Sequence, residues 1–232
     1  MSRVYIGVGH GGADPGAVKY IVEKEYTFKT AIELKSILEG RGVECLLSRT
    51  GDYETDLNDK IRHCNSFNPD LVIDVHYNAG GGTGFEVYYS RAGGTGKVLA
   101  ENINTEMSKL MKSRGVKTKL GDGGADYFAI IRETNAPAVL AEGGFVDTES
   151  DAAFIRDKYK AIAKAYADGI CKTLGITQTT DKAPEPVSGK LYRVQCGAFS
   201  IKENAEKRLD EVKKAGFSDA YIVESSKEDI FK

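Results

Sequence analysis

Strand-like and helix-like segments alternate along the first 175 residues, and this alternation limits the fold more than any other feature. Short β-rich or apolar runs occur at residues 3–8, 43–47, 71–75, 84–89 and 138–141. Helices are predicted over residues 26–42, 56–67, 97–113 and 151–174, where apolar residues recur at helical spacing or the composition is typical of a helix. The alternation predicts an α/β fold, in which a mostly parallel, twisted sheet is flanked by helices.

A composition shift divides the chain near residue 180. Residues 176–190 contain two prolines, many small polar residues and no hydrophobic period, which is typical of an interdomain linker. We therefore expect a first domain over residues 1–175 and a small module over residues 191–232. The module is predicted to be a strand, a helix and a second strand, at residues 192–199, 202–215 and 220–223.

The charge balance and the hydropathy exclude several classes of function. The 32 Lys and Arg residues nearly balance the 34 Asp and Glu residues, which argues against broad nucleic-acid binding. No stretch approaches the ~20 apolar residues of a membrane-spanning helix. The N-terminus lacks the pattern of an export signal, so we expect synthesis in the cytoplasm without a signal peptide.

The four cysteines are widely scattered, at Cys45, Cys64, Cys171 and Cys196, and no pair has C-x-x-C spacing. A thiolate metal site and a disulfide framework are therefore not expected. We interpret all four as small buried apolar residues.

Two of the three histidines follow predicted strands. His10 comes after the first strand, His76 after the central one, and Glu142 after a late one. Because functional sites in parallel sheets form at the carboxyl ends of strands, we expect these side chains to meet at one edge. His63 lies among polar residues within a predicted helix, and we interpret it as a surface residue.

Zinc chemistry suggests one use for this set of residues. Catalytic zinc takes three protein ligands, commonly imidazoles and a carboxylate, and leaves a position open for water. His10 and His76 would supply the imidazoles, and Glu23, just before the first helix, would supply the carboxylate. Glu142 precedes two glycines that would let substrate approach, as a general base requires. Spacing alone favours a metal hydrolase only slightly over structural roles for these residues.

Five motifs in order resemble those of zinc-dependent N-acetylmuramoyl-L-alanine amidases. They are GHGGADPGA at residues 9–17, Glu23-Lys24 before a helix, Leu47-Ser48-Arg49, DVHYNA at 74–79, and PAVLAEGGF at 137–145. The resemblance covers about residues 3–175. Tyr77 departs from the alanine that is usual after the second histidine, which bears on substrate fit more than on metal binding.

The resemblance implies that His10, Glu23 and His76 hold Zn²⁺ and that Glu142 is the catalytic carboxylate. Glu23 is preferred to Glu25 because its distance along the chain to the following helix matches the family. The implied substrate is the amide between N-acetylmuramic acid and L-alanine in peptidoglycan. We add Arg132, which precedes the last strand, as a candidate to bind a carboxylate of the peptide stem. The alternative is a non-catalytic peptidoglycan-binding protein on an amidase scaffold.

The C-terminal module resembles the first half of a SPOR module, a peptidoglycan-binding domain. The matching residues include Tyr192, Gln195, Gly197, Phe199 and Gly216. An incomplete module could pair with a second copy, so we consider self-association. A catalytic domain followed by a wall-binding module suggests a phage endolysin or an autolysin, including a wall enzyme of a spore former, that acts on the cell wall after release.

Overall fold

Six strands form one mixed sheet in the first of two units of this chain. The computed structural model describes residues 1–176, 196–214 and 220–224. Contacts divide the chain into Met1–Ala183 and Pro184–Lys232. The elements of the first unit are, in order, β1 Arg3–Val8, α1 Glu23–Gly40, β2 Glu44–Leu47, α2 Leu57–Phe67, β3 Leu71–Asn78, β4 Phe85–Tyr89, α3 Gly94–Met107, β5 Ser113–Lys117, α4 Ala129–Glu133, β6 Ala138–Phe145 and α5 Glu149–Thr173. The described part of the second unit contains α6, Lys202–Lys214.

The sheet confirms the predicted fold class. Its strand order is β2-β1-β3-β6-β4-β5. Neighbouring strands run parallel except for β4, which lies antiparallel to β6 while pairing in parallel with β5. Helices α1, α3 and α5 contribute to the larger apolar cluster on one face, and α2 and α4 to a smaller cluster on the other.

The face beneath α2 and α4 changes from apolar to polar along the strands. Side chains alternate between the two faces of a strand, so residues two apart share a face. Val72 belongs to the smaller apolar cluster, and it is followed on the same face by Asp74 and His76. The same change occurs on β6, where Leu140 of that cluster is followed by Glu142. The polar half of this face therefore collects the chemically active residues.

Two strands are longer than their apolar runs suggested. β3 continues to Asn78 and β6 to Phe145, so His76 and Glu142 lie within strands and not after them, and the expectation was wrong on this point. The backbone ladder continues because His76 pairs with Glu142 across the two strands, although neither side chain is apolar. Helix α1 also begins earlier than expected, which places Glu23 in its first turn.

The predicted helix over residues 97–113 was wrong at its C-terminal end. Helix α3 runs from Gly94 to Met107, and Ser113–Lys117 forms the strand β5, which the sequence did not predict. The sequence of β5, SRGVK, has neither an apolar run nor a clear alternation because it lies at the edge of the sheet. Pairing with β4 therefore decides its structure, more than local propensity does.

In the second unit, α6 agrees with the predicted helix. Residues 192–195 of the first predicted strand lie outside the described residues, and residues 196–199 and 220–224 are not in strands. Cys45, Cys64 and Cys171 are buried as expected, whereas Cys196 is exposed, so that prediction was wrong for Cys196. Within the described ranges, no helix is long and apolar enough to cross a membrane.

Helices α3 and α5 approach each other closely at Gly169, and this contact can be tested. A Cβ atom added to Gly169 would lie 2.7 Å from the Cα and the N atoms of Ile103. We expect Gly169→Ala to lower the free energy of unfolding by about 2 kcal/mol, because backbone must move to relieve the overlap. The measurement is urea denaturation followed by circular dichroism.

Gly40, at the end of α1, provides the matched control, since a Cβ atom there would meet nothing within 4 Å. Gly40→Ala should leave stability unchanged or raise it by up to about 1 kcal/mol through helix propensity. Equal stability of the two variants would contradict the close approach of α3 and α5.

Candidate metal centre

Three separate elements bring His10, Glu23 and His76 together. His10 follows β1, Glu23 lies in the first turn of α1, and His76 lies within β3. One ligand atom from each of the three lies within 4.8 Å of the other two. Oε1 of Glu23 is 3.1 Å from Nε2 of His10 and 3.2 Å from Nδ1 of His76. The carboxylate of one residue therefore lies between two imidazoles.

The backbone around His10 is shaped to allow this convergence. His10 itself has a φ of 60°, a left-handed conformation that is uncommon outside glycine and is often found at functional sites. A Cβ atom on Gly9 would lie 2.5 Å from the ring of His76, and one on Gly16 would lie 2.6 Å from Oε2 of Glu23. The two glycines therefore leave the space that the imidazole and the carboxylate occupy.

Glu23 is held as a buried carboxylate, with only 4% of the residue exposed. Its Oε1 also accepts a hydrogen bond from the backbone N–H of Tyr77, and its Oε2 accepts one from that of Ala17. Burial alone would raise the pKa of Glu23, but hydrogen bonds from the two imidazoles hold this pKa well below its usual range. Glu25, the rival candidate, is exposed.

Each histidine has a second carboxylate behind it. Nδ1 of His10 lies 2.7 Å from Oδ2 of Asp14, and Nε2 of His76 lies 3.6 Å from Oδ2 of Asp74. Asp74 is buried and forms an ion pair with the buried Lys60. Such partners fix the orientation of a metal-binding imidazole. Sequence reasoning assigned no role to these aspartates, although Asp74 shares a strand face with His76 at a spacing of two residues.

Glu142 lies beside this cluster on the adjoining strand. It pairs in register with His76 of β3 and with Glu86 of β4. Its Oε2 atom is buried and has no hydrogen-bond partner among the described residues. Burial raises the pKa of Glu142 to about 7; the charge of His76 opposes this effect, and neighbouring carboxylates add to it. A carboxylate that titrates near neutrality suits a general base.

The residues present fit a divalent metal ion. Two imidazole nitrogens and one carboxylate oxygen form a donor set that catalytic zinc uses, and the free oxygen of Glu142 lies nearby. A cavity of about 180 Å³ gives access to the site and is lined by Val8, His10, Asp14, Glu54, Thr55, Leu57, Lys60 and His76. The arrangement can therefore hold a metal ion and keep a water molecule next to a base.

The structure does not bring Arg132 to this cluster. Nη1 of Arg132 donates to the backbone carbonyls of Asp126, at 2.7 Å, and Tyr127, at 3.1 Å. Its side chain lines a second cavity together with Ser90 and Arg91. Binding of a stem carboxylate by Arg132 stays a prediction. His63 is exposed, as expected.

Comparison with protein families and relatives gives a consistent result. A sequence profile described as N-acetylmuramoyl-L-alanine amidase matches residues 4–172, and a SPOR domain profile matches residues 188–232. The sporulation-specific N-acetylmuramoyl-L-alanine amidase of Bacillus subtilis (strain 168) is 34% identical over 231 residues, which cover 96% of this chain and 85% of that protein. The endolysin of Bacillus phage SPP1 is 34% identical over 235 residues, which cover 95% of this chain and 84% of the endolysin.

A solved structure shares the fold of the first unit. The catalytic domain of CwlV, an N-acetylmuramoyl-L-alanine amidase from Bacillus (Paenibacillus) polymyxa var. colistinus, matches with a TM-score of 0.68 and 28% identity. The match covers 76% of this chain and 100% of that chain. None of these comparisons supports the self-association considered for the C-terminal module.

The environment of Glu142 predicts a pH-dependent stability difference in metal-free protein. Because its folded-state pKa is about 7 and an unfolded glutamate titrates near 4.5, the protonated form is favoured by folding. This contribution is present below pH 4.5 and is lost as the pH rises through 7. Glu142→Gln should therefore be more stable than the unmodified protein at pH 8, by at most about 3 kcal/mol, and equally stable at pH 4.5.

The measurement is thermal unfolding in the presence of a chelator at both pH values. Glu101→Gln, at an exposed position of α3, is the control and should show no such change between the two pH values. If Glu142→Gln and the parent protein differ in stability by the same amount at pH 4.5 and at pH 8, Glu142 is not a buried ionisable group.

Proposed function

The chain belongs to the N-acetylmuramoyl-L-alanine amidase family, and we propose that it hydrolyses the amide bond between N-acetylmuramic acid and L-alanine in peptidoglycan, using zinc held by His10, Glu23 and His76. The observation that carries this proposal is the convergence of three ligand atoms next to Glu142, whose buried Oε2 has no hydrogen-bond partner among the described residues. Similarity to a sporulation amidase and a phage endolysin over nearly the whole chain supports a peptidoglycan hydrolase.

The roles of the metal-site residues follow from their contacts. A zinc ion bound there would supply a Lewis acid that polarises the amide carbonyl and acidifies water. Asp14 orients the imidazole of His10 through its Nδ1 atom, and Asp74 faces Nε2 of His76. Backbone N–H groups fix both oxygens of Glu23. The three ligands therefore need little rearrangement when the metal binds.

Glu142 is the group that moves protons. Its unpartnered Oε2 can accept a proton from the attacking water, because no described residue occupies that oxygen. The water oxygen forms the new bond to the amide carbon, and the bond from that carbon to nitrogen breaks. Glu142 returns the proton to the leaving nitrogen, which gives the free amine of the peptide and leaves the carboxylate ready for another cycle.

The organisation of the chain supports action on the cell wall. We propose that residues 1–175 form the catalytic domain, residues 176–190 the linker, and residues 191–232 a SPOR-type module that binds peptidoglycan. The relatives include a sporulation amidase and an endolysin. We propose that this protein is released onto the cell wall, where it acts as an endolysin or an autolysin. Arg132, which lies outside the metal cluster, is a candidate contact for a stem carboxylate.

Zinc content and peptide release together test this function. Glu142→Gln should bind zinc like the parent and release peptide from purified cell walls at least about 10³-fold more slowly, because the base is lost. Glu23→Gln should lose both zinc and activity. Glu25→Gln is the matched control, since Glu25 lies two residues away on α1 and is exposed, and it should retain both.

Two results would reject parts of the proposal. A parent protein that binds zinc and walls but releases no peptide would instead be a non-catalytic wall-binding protein on an amidase scaffold. A Glu142→Gln variant that works at the parental rate would show that another group moves the proton.

The contact between Asp14 and His10 predicts an effect on metal affinity. Asp14→Asn should weaken zinc binding by about 10- to 100-fold, because the amide holds the imidazole less firmly and makes it a weaker ligand. Competition with a coloured zinc chelator measures the affinity, and Asp157→Asn on the exposed surface of α5 is the control. Equal affinity of the two variants would show that Asp14 does not support the metal site.

A further inference from the structure

A second buried carboxylate, Glu86, adjoins Glu142 across the sheet and carries an unusual set of partners. Glu86 is 3% exposed and pairs in register with Glu142. Its carboxylate accepts four hydrogen bonds, from Nδ2 of Asn78 at 3.0 Å, the hydroxyl of Tyr88 at 2.7 Å, Nε of Arg114 at 2.7 Å, and Nζ of Lys117. Burial alone would raise the pKa of Glu86, but the hydrogen bonds from Lys117 and Arg114 lower it to about 2.

The positive charge of Arg114 and Lys117 exceeds the negative charge of the carboxylate that they contact. Arg114 and Lys117 together carry two positive charges against the single charge of Glu86, so the group has one positive charge in surplus. Their side chains are 37% and 34% exposed, whereas that of Glu86 is 4% exposed. Only Nε of Arg114 contacts Glu86, and its two Nη groups have no hydrogen-bond acceptor among the described residues. Donors are therefore held in place and remain available to a ligand.

These cations lie along a line that begins at the metal cluster. His76 on β3, Glu142 on β6 and Glu86 on β4 form one row across the sheet, and Arg114 and Lys117 lie on β5, the next strand. At about 4.8 Å between strands, Glu86 is roughly 10 Å from the strand of His76. An extended peptide spans about 3.3 Å per residue, so this distance corresponds to about three residues.

We infer that Arg114 and Lys117 form a subsite for a carboxylate of the peptide stem, on the leaving-group side of the scissile amide. The inference rests on the proposed function. The N-acetylated sugar next to the bond is neutral, whereas the peptide beyond it ends in a carboxylate and can carry acidic residues. A guanidinium and an ammonium, both fixed by buried Glu86, match that charge and provide several donors. The subsite therefore selects the peptide part of the substrate.

Paired substrates test the subsite. One is an N-acetylmuramoyl-L-alanyl peptide with free carboxylates, and the other is the same peptide with carboxamides. The readout is the ratio of kcat/KM between the two, because any change at Glu142 affects both substrates alike and cancels. The parent should prefer the carboxylate form by about tenfold, mainly through a lower KM. Added salt should reduce this preference.

The variants are chosen to remove the preference for the carboxylate substrate without leaving the buried Glu86 charged and unpaired. The combination Glu86→Gln, Arg114→Gln and Lys117→Gln keeps polar groups in place and abolishes the net charge, so the ratio should fall to about one. Glu86→Gln alone releases both cations and should keep or increase the ratio. The control is Arg156→Ala with Lys158→Ala, which removes two exposed cations from α5, on the opposite face, and should leave the ratio unchanged.

The outcomes separate this inference from the proposed function. If the parent cleaves neither substrate, the proposed function fails. If the parent cleaves both but the triple variant keeps its preference, or the parent has none, Arg114 and Lys117 only neutralise Glu86 and the subsite is rejected. A loss of preference in the α5 control would also reject it, because general electrostatic attraction would then explain the selectivity.

Discussion

The carboxylate of Glu23 between two imidazoles is the interaction on which the site depends. It connects the loop after β1, the first turn of α1 and the middle of β3, three parts of the chain that are also joined by backbone and side-chain hydrogen bonds at Gly9. A buried carboxylate is costly unless its oxygens are paired, and here backbone N–H groups and imidazoles satisfy both. These contacts fix the positions of the three side chains relative to one another, and they require a left-handed backbone at His10.

The mixed strand directions of the sheet extend the row of polar residues from β3 across β6 to β4. Because β4 runs antiparallel to β6, Glu86 near the beginning of β4 lies beside Glu142 in the C-terminal half of β6. The register then continues the row from His76 to Glu86. A substrate lying across the strands would meet the proposed metal ligands, the proposed base and the two cations in that order, so our proposals place cleavage and selection on one face of the sheet.

The sequence predicted the elements that have a strong hydrophobic period and the residues whose chemistry is conspicuous. The apolar runs of β1 and β3 and the long α5 follow directly from burial on one or both faces. The edge strand β5 could not be predicted, since its polar residues are ordered by pairing with β4. Asp14, Asp74 and Glu86 were missed for a similar reason: an acidic residue acquires a role only through the partner that folding brings to it.

The contrast between Glu86 and Glu142 explains how adjacent acids can do different work. Both lie on one face of neighbouring strands, yet Glu86 accepts four hydrogen bonds, whereas Oε2 of Glu142 has no partner in the part of the chain that the structure describes. The hydrogen bonds to Glu86 lower its pKa to about 2, whereas burial raises the pKa of Glu142 to about 7. A permanently charged Glu86 can anchor cations, and its charge also helps to keep Glu142 able to take up and release a proton near neutral pH.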